Sequence, residues 1–285
     1  IKTVKQLEVA AKAHRISKLP GFGEKSEEEI LKGIGIFQKG QERMLLGYAL
    51  PIAREIEGRL KGLKEVTRAS LAGSLRRRKE TIGDVDLLVS CKGGKAAAKI
   101  MNFFTMMPDV NGILAKGETK SSIVLKTGLQ VDLRVVEDSS FGAALQYFTG
   151  SKEHNIVVRE LAIRKGLKLN EYGVFKKSGN RKIAGRTEEG VYKAIGLRYM
   201  EPEIRENSGE IEAAAKPKSS KTRLGSVAAT RLENRLPSLI KYGSIKGDFH
   251  THTVKSDGSN RLEEMVAAAK KLGYEYVAIT DHSRS

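Results

Sequence analysis

Two aspartates one residue apart are the clearest chemical feature of this 285-residue chain. Asp84 and Asp86 open the segment 84–90, whose later residues are mostly apolar and predict a buried strand. Because alternate side chains of a strand share a face, both carboxylates should point the same way, about 6.5 Å apart at their Cα atoms. Such a pair suits two Mg²⁺ ions about 3.5–4 Å apart, which clamp the attacking and leaving oxygens of a phosphoryl transfer. The motif therefore predicts nucleotidyl transfer.

Two further segments supply partners for this pair. The turn Gly73-Ser74 has backbone amides that can hold displaced phosphates. A strand predicted at residues 130–136 buries alternate apolar residues and leaves Asp132 and Arg134 on its open face. Asp132 should therefore complete a metal-binding triad with the first two aspartates.

The bulk composition limits the partners of the chain. The net charge is +17, so the protein is expected to bind phosphate polymers. Membrane binding is disfavoured because no apolar stretch is long enough to span a bilayer and no signal-like segment opens the chain. The single cysteine, Cys91, excludes disulfides within the chain and indicates a reducing, cytoplasmic interior. The ends at Ile1 and Ser285 are expected to be cut from a longer protein.

Short helices joined by glycines are predicted for the N-terminal part. Gly21 and Gly23 form a turn, after which a capping box of Ser26 and Glu29 should start the next helix. The turn resembles the hairpin of a helix-hairpin-helix motif, in which glycines let backbone amides approach a DNA phosphate. Lys25 follows the turn and is expected to contact DNA with it.

The middle of the chain mixes helices and strands. The predicted elements are helices at 41–60 and 95–106 and strands at 84–90, 122–126 and 130–136. This mixture indicates an α+β fold with a palm-like unit. Residues 206–221 are rich in Glu, Ala, Lys, Ser and Pro, which predicts a flexible linker.

Three signatures in this order resemble DNA polymerase family X, which includes DNA polymerase beta and the bacterial and archaeal repair polymerases. They are Gly73-Ser74 with Asp84-Val85-Asp86, the later Val131-Asp132-Leu133-Arg134, and Tyr147-Phe148-Thr149-Gly150-Ser151. The last is the most specific, and the resemblance covers residues 1–205. It implies a nucleotidyltransferase-type palm with helical fingers and an α/β thumb.

The resemblance implies a role for each matching residue. Asp84 and Asp86 would bind two Mg²⁺ or Mn²⁺ ions. Asp132 would bind the catalytic ion and help to deprotonate a primer 3′-hydroxyl, which attacks the α-phosphate of a dNTP. Ser74 and Arg77 match contacts to the β- and γ-phosphates. The full set assigned to the nucleotide is Gly73, Ser74, Arg77, Gly83, Tyr147, Phe148, Gly150 and Asn155.

In the same family Tyr147 and Phe148 would form a wall against the sugar, and Asn155 would bond the minor-groove edge of the incoming base. The implied partner of a monomeric enzyme is primed or gapped duplex DNA. The residues assigned to DNA are Gly21, Gly23, Lys25, Arg134 and Arg159. Ile156 stands where animal relatives have a lysine that stacks on the template base, so looser template contact is expected. The family's lyase-like module is not in this sequence, which puts lyase activity in doubt.

Three of the five histidines lie near the C-terminus. His250 and His252 are at strand spacing, Asp257 and His282 follow, and neutral imidazoles are common transition-metal ligands. The segment resembles the opening of a polymerase-and-histidinol-phosphatase (PHP) domain, an α/β barrel that hydrolyses phosphoesters. The resemblance makes these four residues ligands of Mn²⁺ or Zn²⁺. The cluster is expected to be incomplete here, with 3′–5′ exonuclease activity in the full-length parent.

Five domains are predicted from these observations. They are a helix-hairpin-helix and fingers region at 1–62, a palm at 63–140, a thumb at 141–205, a linker at 206–240 and the start of the PHP domain at 241–285. The predicted function is DNA-directed gap filling in DNA repair, in a prokaryotic cytoplasm near the nucleoid. Two alternatives stay open: a template-independent nucleotidyltransferase acting on RNA ends, and a catalytically silent DNA-binding scaffold.

Overall fold

The computed structural model describes residues 1, 3–39, 43–215, 236–241 and 243–283. The chain divides into two compact units, Ile1–Leu236 and Pro237–Ser285. Among the described residues, no helix is both long enough and apolar enough to cross a membrane.

Two helices pack together at the N-terminal end, α1 at Val4–Lys12 and α2 at Glu24–Lys39. Helix α2 begins at Glu24, so the capping box predicted at Ser26 is wrong. Glu24 and Glu27 instead occupy the first turn, where negative charge is favourable to the helix dipole. The two helices share a small apolar core of Ala10, Ala11 and Ile16 with Leu7, Ile30 and Leu31.

A third helix, α3 at Leu46–Lys61, begins at residue 46 rather than at the predicted residue 41. It is preceded by β1 (Met44–Leu45), which pairs with β3 (Thr81–Ile82). The Leu46 N–H donates a hydrogen bond to the Glu80 carbonyl. This pairing commits the backbone before residue 46 to a strand, and the helix starts after it.

The main sheet holds the acidic strand near its centre. Its strands, in spatial order, are β2 (Val66–Leu71), β4 (Asp84–Cys91), β7 (Gln130–Glu137), β6 (Lys120–Leu125) and β5 (Val110–Lys116). β4 and β7 run parallel, and the other neighbouring pairs run antiparallel. Helices α4 (Gly73–Arg76) and α5 (Gly94–Thr105) precede and follow β4. Apolar residues of α3 and α5 join the inward side chains of β4 and β7 in one core.

A second, mostly helical layer follows in the same unit. It comprises α6 (Phe141–Thr149), α7 (Lys152–Arg164), β8 (Leu167–Asn170), β9 (Gly173–Lys176), β10 (Lys182–Ala184), α8 (Glu188–Ala194) and α9 (Glu210–Ala214). Residues 210–214, which the composition predicts to be flexible linker, are helical because Ile211 and Ala214 pack into the core of this layer. The remaining linker residues at 216–235 lie outside the described residues.

The second unit is a β-α-β arrangement. Strands β11 (Gly247–Thr251) and β12 (Tyr276–Ile279) pair in parallel, and α10 (Leu262–Lys271) lies between them in sequence. Within the described residues of this unit the sheet is open and two-stranded. Across both units, open sheets combined with helices confirm the predicted α+β class.

Buried charges connect the main sheet to the helical layer. The Glu188 carboxylate is 5% exposed and lies 2.6 Å from both Arg76 Nη2 and Arg205 Nη1. Arg205 is fully buried, with its guanidinium over the rings of Tyr192 and Tyr199. Burial alone would raise the pKa of Glu188, but hydrogen bonds and charge from the two arginines hold it below its ordinary value. Glu188 therefore stays ionised between two cations.

Replacing Glu188 with alanine should destabilise this unit by about 3–5 kcal/mol, because it leaves the Arg205 charge buried without a partner. Glu189→Ala is the matched control, since its side chain is exposed one residue away. That control should stay within about 0.5 kcal/mol of the wild type in urea unfolding. Equal losses in the two variants would contradict the buried-pair interpretation.

Candidate functional site

The three predicted catalytic aspartates lie together on one face of the main sheet. β4 and β7 pair in parallel, with Asp86 opposite Asp132 and Asp84 opposite Gln130. Side chains paired in register point to the same face of a sheet, as do alternate side chains of one strand, so all three carboxylates share a face at the start of these strands. Neighbouring strands are about 4.8 Å apart, which brings the carboxylates close together. The intervening Val85 is fully buried in the core on the other face. Local strand alternation and strand pairing thus assemble the triad.

Crowding makes these carboxyl groups hard to ionise together. Burial, followed by the charges of Asp84 and Asp132, raises the pKa of Asp86 to about 7. Burial and then Asp132 also raise the pKa of Asp84. Lys120 Nζ lies 2.9 Å from Asp132 Oδ2, and Gln130 Nε2 donates to Asp132 Oδ1 at 2.9 Å. Three crowded carboxylates offer the hard oxygen donors that Mg²⁺ or Mn²⁺ prefers, so the residues fit such an ion.

Gly73 is required by its contact with the triad. Its φ is +62°, and a Cβ at this position would lie 2.2 Å from Asp86 Oδ2. Any larger residue would therefore push the Asp86 carboxylate out of place and strain the backbone as well. Ser74 follows in α4 and lines the same cavity as Asp86.

Arg77 is engaged inside the protein. Its Nε donates to Glu206 Oε1 at 2.8 Å, and its Nη1 donates to the Thr149 carbonyl at 2.5 Å. A Cβ on Gly150 would lie 3.1 Å from Arg77 Nη1, so glycine leaves room for the guanidinium there. Arg77 also lines the cavity, and its preferred ligand is an anion with forked acceptors. The contacts with Glu206 and Thr149 use two of the five guanidinium N–H groups, so the others are available to a phosphate.

Gly83 is not among the residues that line the cavity, and its close approach to a triphosphate stays a prediction. A Cβ at Gly83 would meet Arg43 Nη1 at 3.2 Å. Arg43 is held by Thr81, donating from Nε to Thr81 Oγ1 at 2.8 Å and from Nη2 to the Thr81 carbonyl at 2.6 Å. The small residue thus accommodates an arginine whose charge lowers the pKa of nearby Asp84 against the effect of burial.

Two aromatic rings form a wall of the cavity, and an arginine lies against each ring. The rings of Tyr147 and Phe148 meet edge to face, with their centroids 5.1 Å apart. The Arg134 guanidinium lies 4.3 Å from the centroid of Phe148, and that of Arg159 lies 5.7 Å from the centroid of Tyr147. The two arginines predicted to contact DNA are therefore both stacked on the wall predicted to contact the sugar.

Asn155 lies on α7, whose start is fixed by the Ser151 hydroxyl accepting a hydrogen bond from the His154 N–H. Its Nδ2 donates to the Tyr147 carbonyl at 2.7 Å, and its Oδ1 accepts from Gln146 Nε2 at 2.6 Å. Both ends of the amide are held, so its orientation is defined before any ligand binds.

Most of these groups line one cavity of about 620 Å³, but the predicted site residues Asp132 and Arg134 are not among its lining residues. Seven of the eight residues predicted to bind the nucleotide line it, and Gly83 is the exception. Asp84, Asp86 and Arg159 line it as well, together with Thr149 and Lys152, which sequence reasoning did not select. The cavity therefore combines acidic oxygens, an arginine, an aromatic wall and an amide.

The predicted helix-hairpin-helix residues lie elsewhere in the first unit. Gly21 has a φ of +85°, and a Cβ on Gly21 or Gly23 would meet no atom within 4 Å. Both glycines and Lys25 are exposed. Their backbone and charge are thus open to solvent next to the start of α2, as a phosphate contact requires.

The second unit brings together three of its four predicted ligands. One donor atom from each of His252, Asp257 and His282 lies within 4.8 Å of the others. His252 Nδ1 is buried and makes no hydrogen bond, although it lies 3.1 Å from Asp257 Oδ1. A buried ring nitrogen without a proton partner fits a metal ligand, so these residues suit a transition-metal ion. His250 lies outside this trio, with its ring 4.9 Å from that of His252.

Several partners of the site were missed by sequence reasoning. Lys120 had a signal: the hairpin register pairs it with Arg134, beside Asp132 on the same face. Glu206 had none, because 129 residues separate it from Arg77. The sequence alone likewise gives no sign that Gln146 and Arg43 contact residues of the site.

Two family models match the chain. The model described as DNA polymerase beta thumb matches residues 144–206, and that of the PHP domain matches residues 248–284. The chain is 38% identical over 280 residues to the DNA polymerase/3′-5′ exonuclease PolX of Bacillus subtilis (strain 168), covering 98% of this chain and 45% of that protein.

Other relatives cover smaller parts. The rat DNA polymerase lambda is 34% identical over 159 residues, covering 47% of this chain and 28% of that protein. The repair DNA polymerase X of African swine fever virus (isolate Tick/South Africa/Pretoriuskop Pr4/1996) is 28% identical over 158 residues, covering 54% of this chain and 90% of that protein. The fold is similar to that of Leishmania infantum polymerase beta in a ternary gap complex. That match has a TM-score of 0.58 at 23% identity and covers 72% of this chain and 81% of that one.

The raised pKa of Asp86 should make the metal-free protein less stable as pH rises. The folded state keeps this proton up to about pH 7, whereas the unfolded chain releases it near 3.8. The destabilisation therefore grows between these values and is complete above 7. Asp86→Asn stays neutral, so its melting-temperature advantage over the wild type in chelator should widen from pH 5 to pH 8. A melting-temperature difference that stays constant with pH would contradict this prediction. Asp109→Asn is the control, because Asp109 is an exposed aspartate that pairs with Arg59.

Proposed function

This chain belongs to DNA polymerase family X, and on that premise we propose that it is a DNA-directed DNA polymerase that fills gaps during DNA repair. It would add dNTPs to a primer 3′-hydroxyl on primed or gapped duplex DNA. The observation that carries the proposal is that Asp84 and Asp86 line one cavity with Arg77 and Asn155, while strand pairing puts Asp132 beside Asp86. The chain spans less than half the length of its Bacillus and rat relatives, so their activities come to it by inference.

The three aspartates would hold divalent cations, Mg²⁺ or Mn²⁺, which supply charge neutralisation at the attacking and leaving oxygens. We expect Asp132, whose charge Lys120 balances at 2.9 Å, to accept the proton of the primer hydroxyl. Ser74 and Arg77 would bind the β- and γ-phosphates, while Glu206 holds the guanidinium in place through Nε. Each of these groups acts from a position that the fold fixes.

The remaining cavity residues select the nucleotide. Tyr147 and Phe148 face the sugar, where their bulk excludes a 2′-hydroxyl. Arg134 and Arg159 keep positive charge on that wall for the DNA backbone. Template-independent addition to RNA ends needs the acidic pair and the glycine turn but not this wall or the open glycine hairpin. A silent scaffold needs none of the three carboxylates. Neither alternative is favoured.

We propose that the second unit is the start of a metal-dependent phosphoesterase domain whose activity belongs to the full-length parent. His252, Asp257 and His282 would hold Mn²⁺ or Zn²⁺, and the orphaned His252 Nδ1 supports this. A 3′–5′ exonuclease is the corresponding activity named for the Bacillus relative. We propose action as a monomer in a bacterial cytoplasm. A location near the nucleoid agrees with the net charge of +17, and a bacterial cell agrees with the source of that relative.

Asp132→Asn should abolish primer extension on a one-nucleotide gapped duplex. Losing one carboxylate of the triad removes several kcal/mol of transition-state stabilisation, about a thousandfold in rate. Binding to the gapped duplex should persist, because the change adds no negative charge. Single-turnover incorporation and a DNA-binding titration measure the two effects, with Asp109→Asn as the control. Retained extension in Asp132→Asn, or faster addition to an unprimed RNA end by the wild type, would refute the proposed chemistry.

His252→Ala should remove the metal bound by the second unit. The substitution deletes one of three donors, and a pair of ligands holds a transition metal weakly. Metal content after dialysis and calorimetric titration with Mn²⁺ or Zn²⁺ provide the measurement. His14→Ala, an exposed histidine of the first unit, is the control. Unchanged metal content in His252→Ala would exclude this site.

A further inference from the structure

The amide of Asn155 has a single consistent orientation. A backbone carbonyl only accepts hydrogen bonds, so the Asn155 group facing the Tyr147 carbonyl at 2.7 Å must be the NH₂. The Asn155 oxygen therefore faces Gln146, which must present its own NH₂ at 2.6 Å. The orientation of both amides follows from one backbone atom.

Gln146 is in turn held by a buried chain of side chains. Its side chain also faces the Tyr192 hydroxyl. Burial raises the pKa of that hydroxyl, and Gln146 lowers it in part. The Tyr192 hydroxyl lies 2.9 Å from His154 Nε2, and His154 Nδ1 lies 2.7 Å from Glu210 Oε1. Gln146, Tyr192 and His154 are each at most 1% exposed. Because water cannot replace a lost partner there, no member can turn alone without leaving a polar group unsatisfied.

The charge of Glu210 sets the direction of the bonds that join Glu210, His154 and Tyr192. Burial would raise the pKa of Glu210, but bonds from His154 and from the N–H groups of Asn207 and Ser208 hold it below its ordinary value. The ionised carboxylate makes His154 Nδ1–H the donor. Burial lowers the pKa of His154 more than Glu210 raises it, so its Nε2 is bare and accepts from the Tyr192 O–H. The Tyr192 oxygen therefore keeps its lone pairs for the facing Gln146 amide.

This leaves one N–H of Asn155 for the cavity. Its Nδ2 carries two hydrogens, and the Tyr147 carbonyl takes one of them. Asn155 lines the cavity beside Asp84 and Asp86. Each of the four bases presents an acceptor at its minor-groove edge, N3 in purines and O2 in pyrimidines. A donor in this place can therefore contact any correctly placed base.

We propose that Gln146, Tyr192, His154 and Glu210 act as positioning residues that hold the Asn155 amide with an N–H toward the incoming base, so that the site tests each dNTP for a minor-groove acceptor. This inference rests on the proposed polymerase function. It extends the nucleotide site to a glutamate in α9, outside the cavity, and to three buried residues that make no contact with the nucleotide.

The test compares dGTP with 3-deaza-dGTP, which lacks the N3 acceptor, opposite cytosine in a one-nucleotide gap. The full chain should use dGTP with a kcat/KM about threefold to tenfold higher, the worth of one hydrogen bond. Gln146→Leu should bring this ratio close to one by slowing dGTP alone, since the analogue never made the bond. Tyr192→Phe, which deletes only a hydroxyl, should lower the ratio in the same direction and covers the case in which Gln146→Leu does not fold.

Glu210→Gln provides a remote test with a matched control. It should lower the ratio of kcat/KM for dGTP to that for 3-deaza-dGTP, because the change acts on Asn155 through His154 and Tyr192. Glu212 is exposed on the same helix, so Glu212→Gln should leave this ratio at the wild-type value. Melting temperature and gapped-DNA affinity are measured for every variant. A merely structural role would lower the two substrates in parallel and leave the ratio unchanged.

The outcomes separate this inference from the function on which it rests. A wild-type chain that adds no templated nucleotide overturns both. A wild type that adds nucleotides but uses both substrates equally overturns the inference alone, because Asn155 then donates nothing to the base. The same holds if Gln146→Leu and Tyr192→Phe both keep the full preference for dGTP.

Discussion

Repulsion among three carboxylates on two adjacent parallel strands is the constraint on which the rest of the site depends. Strand pairing puts Asp86 opposite Asp132, and burial adds to the cost of ionising them together. Positively charged side chains offset part of this cost: Lys120 pairs with Asp132, and Arg43 lies near Asp84. Gly73 leaves the space that the Asp86 oxygen occupies. The main sheet is thus organised around crowded negative charge, which a proton on Asp86 reduces up to about pH 7 in the metal-free protein.

The helical layer has a different role, which is to hold the neutral side-chain amide of Asn155 in one orientation. It buries Arg205, Glu188 and His154, residue types that are seldom fully buried unless they are paired. Each has a partner at hydrogen-bond distance, and together they connect α7, α8 and α9. Apolar packing alone would stabilise this layer but would not fix the direction of an amide. Hydrogen bonds fix that direction, because they require a donor to face an acceptor.

Sequence alone predicted the parts of the site that depend on short-range periodicity. Strand alternation was enough to place Asp84 and Asp86 on one face, and the order of strands was enough to bring Asp132 beside them. It was not enough for contacts between distant segments: Gly83 faces Arg43, and Arg77 faces Glu206. The starts of α2 and α3 were also misplaced, because acidic residues in one first turn and a two-residue strand pairing before the other decide them. Such partners are set by the tertiary fold.

The Arg77–Glu206 pair has a consequence for how the cavity meets an anion. Glu206 and the Thr149 carbonyl each take one N–H of Arg77, so the long side chain is held in one rotamer while donors remain available. Immobilising a side chain with many rotamers on binding costs about 0.5–1.5 kcal/mol. Because the fold has already fixed this arginine, an anion that binds it does not meet that entropic cost again.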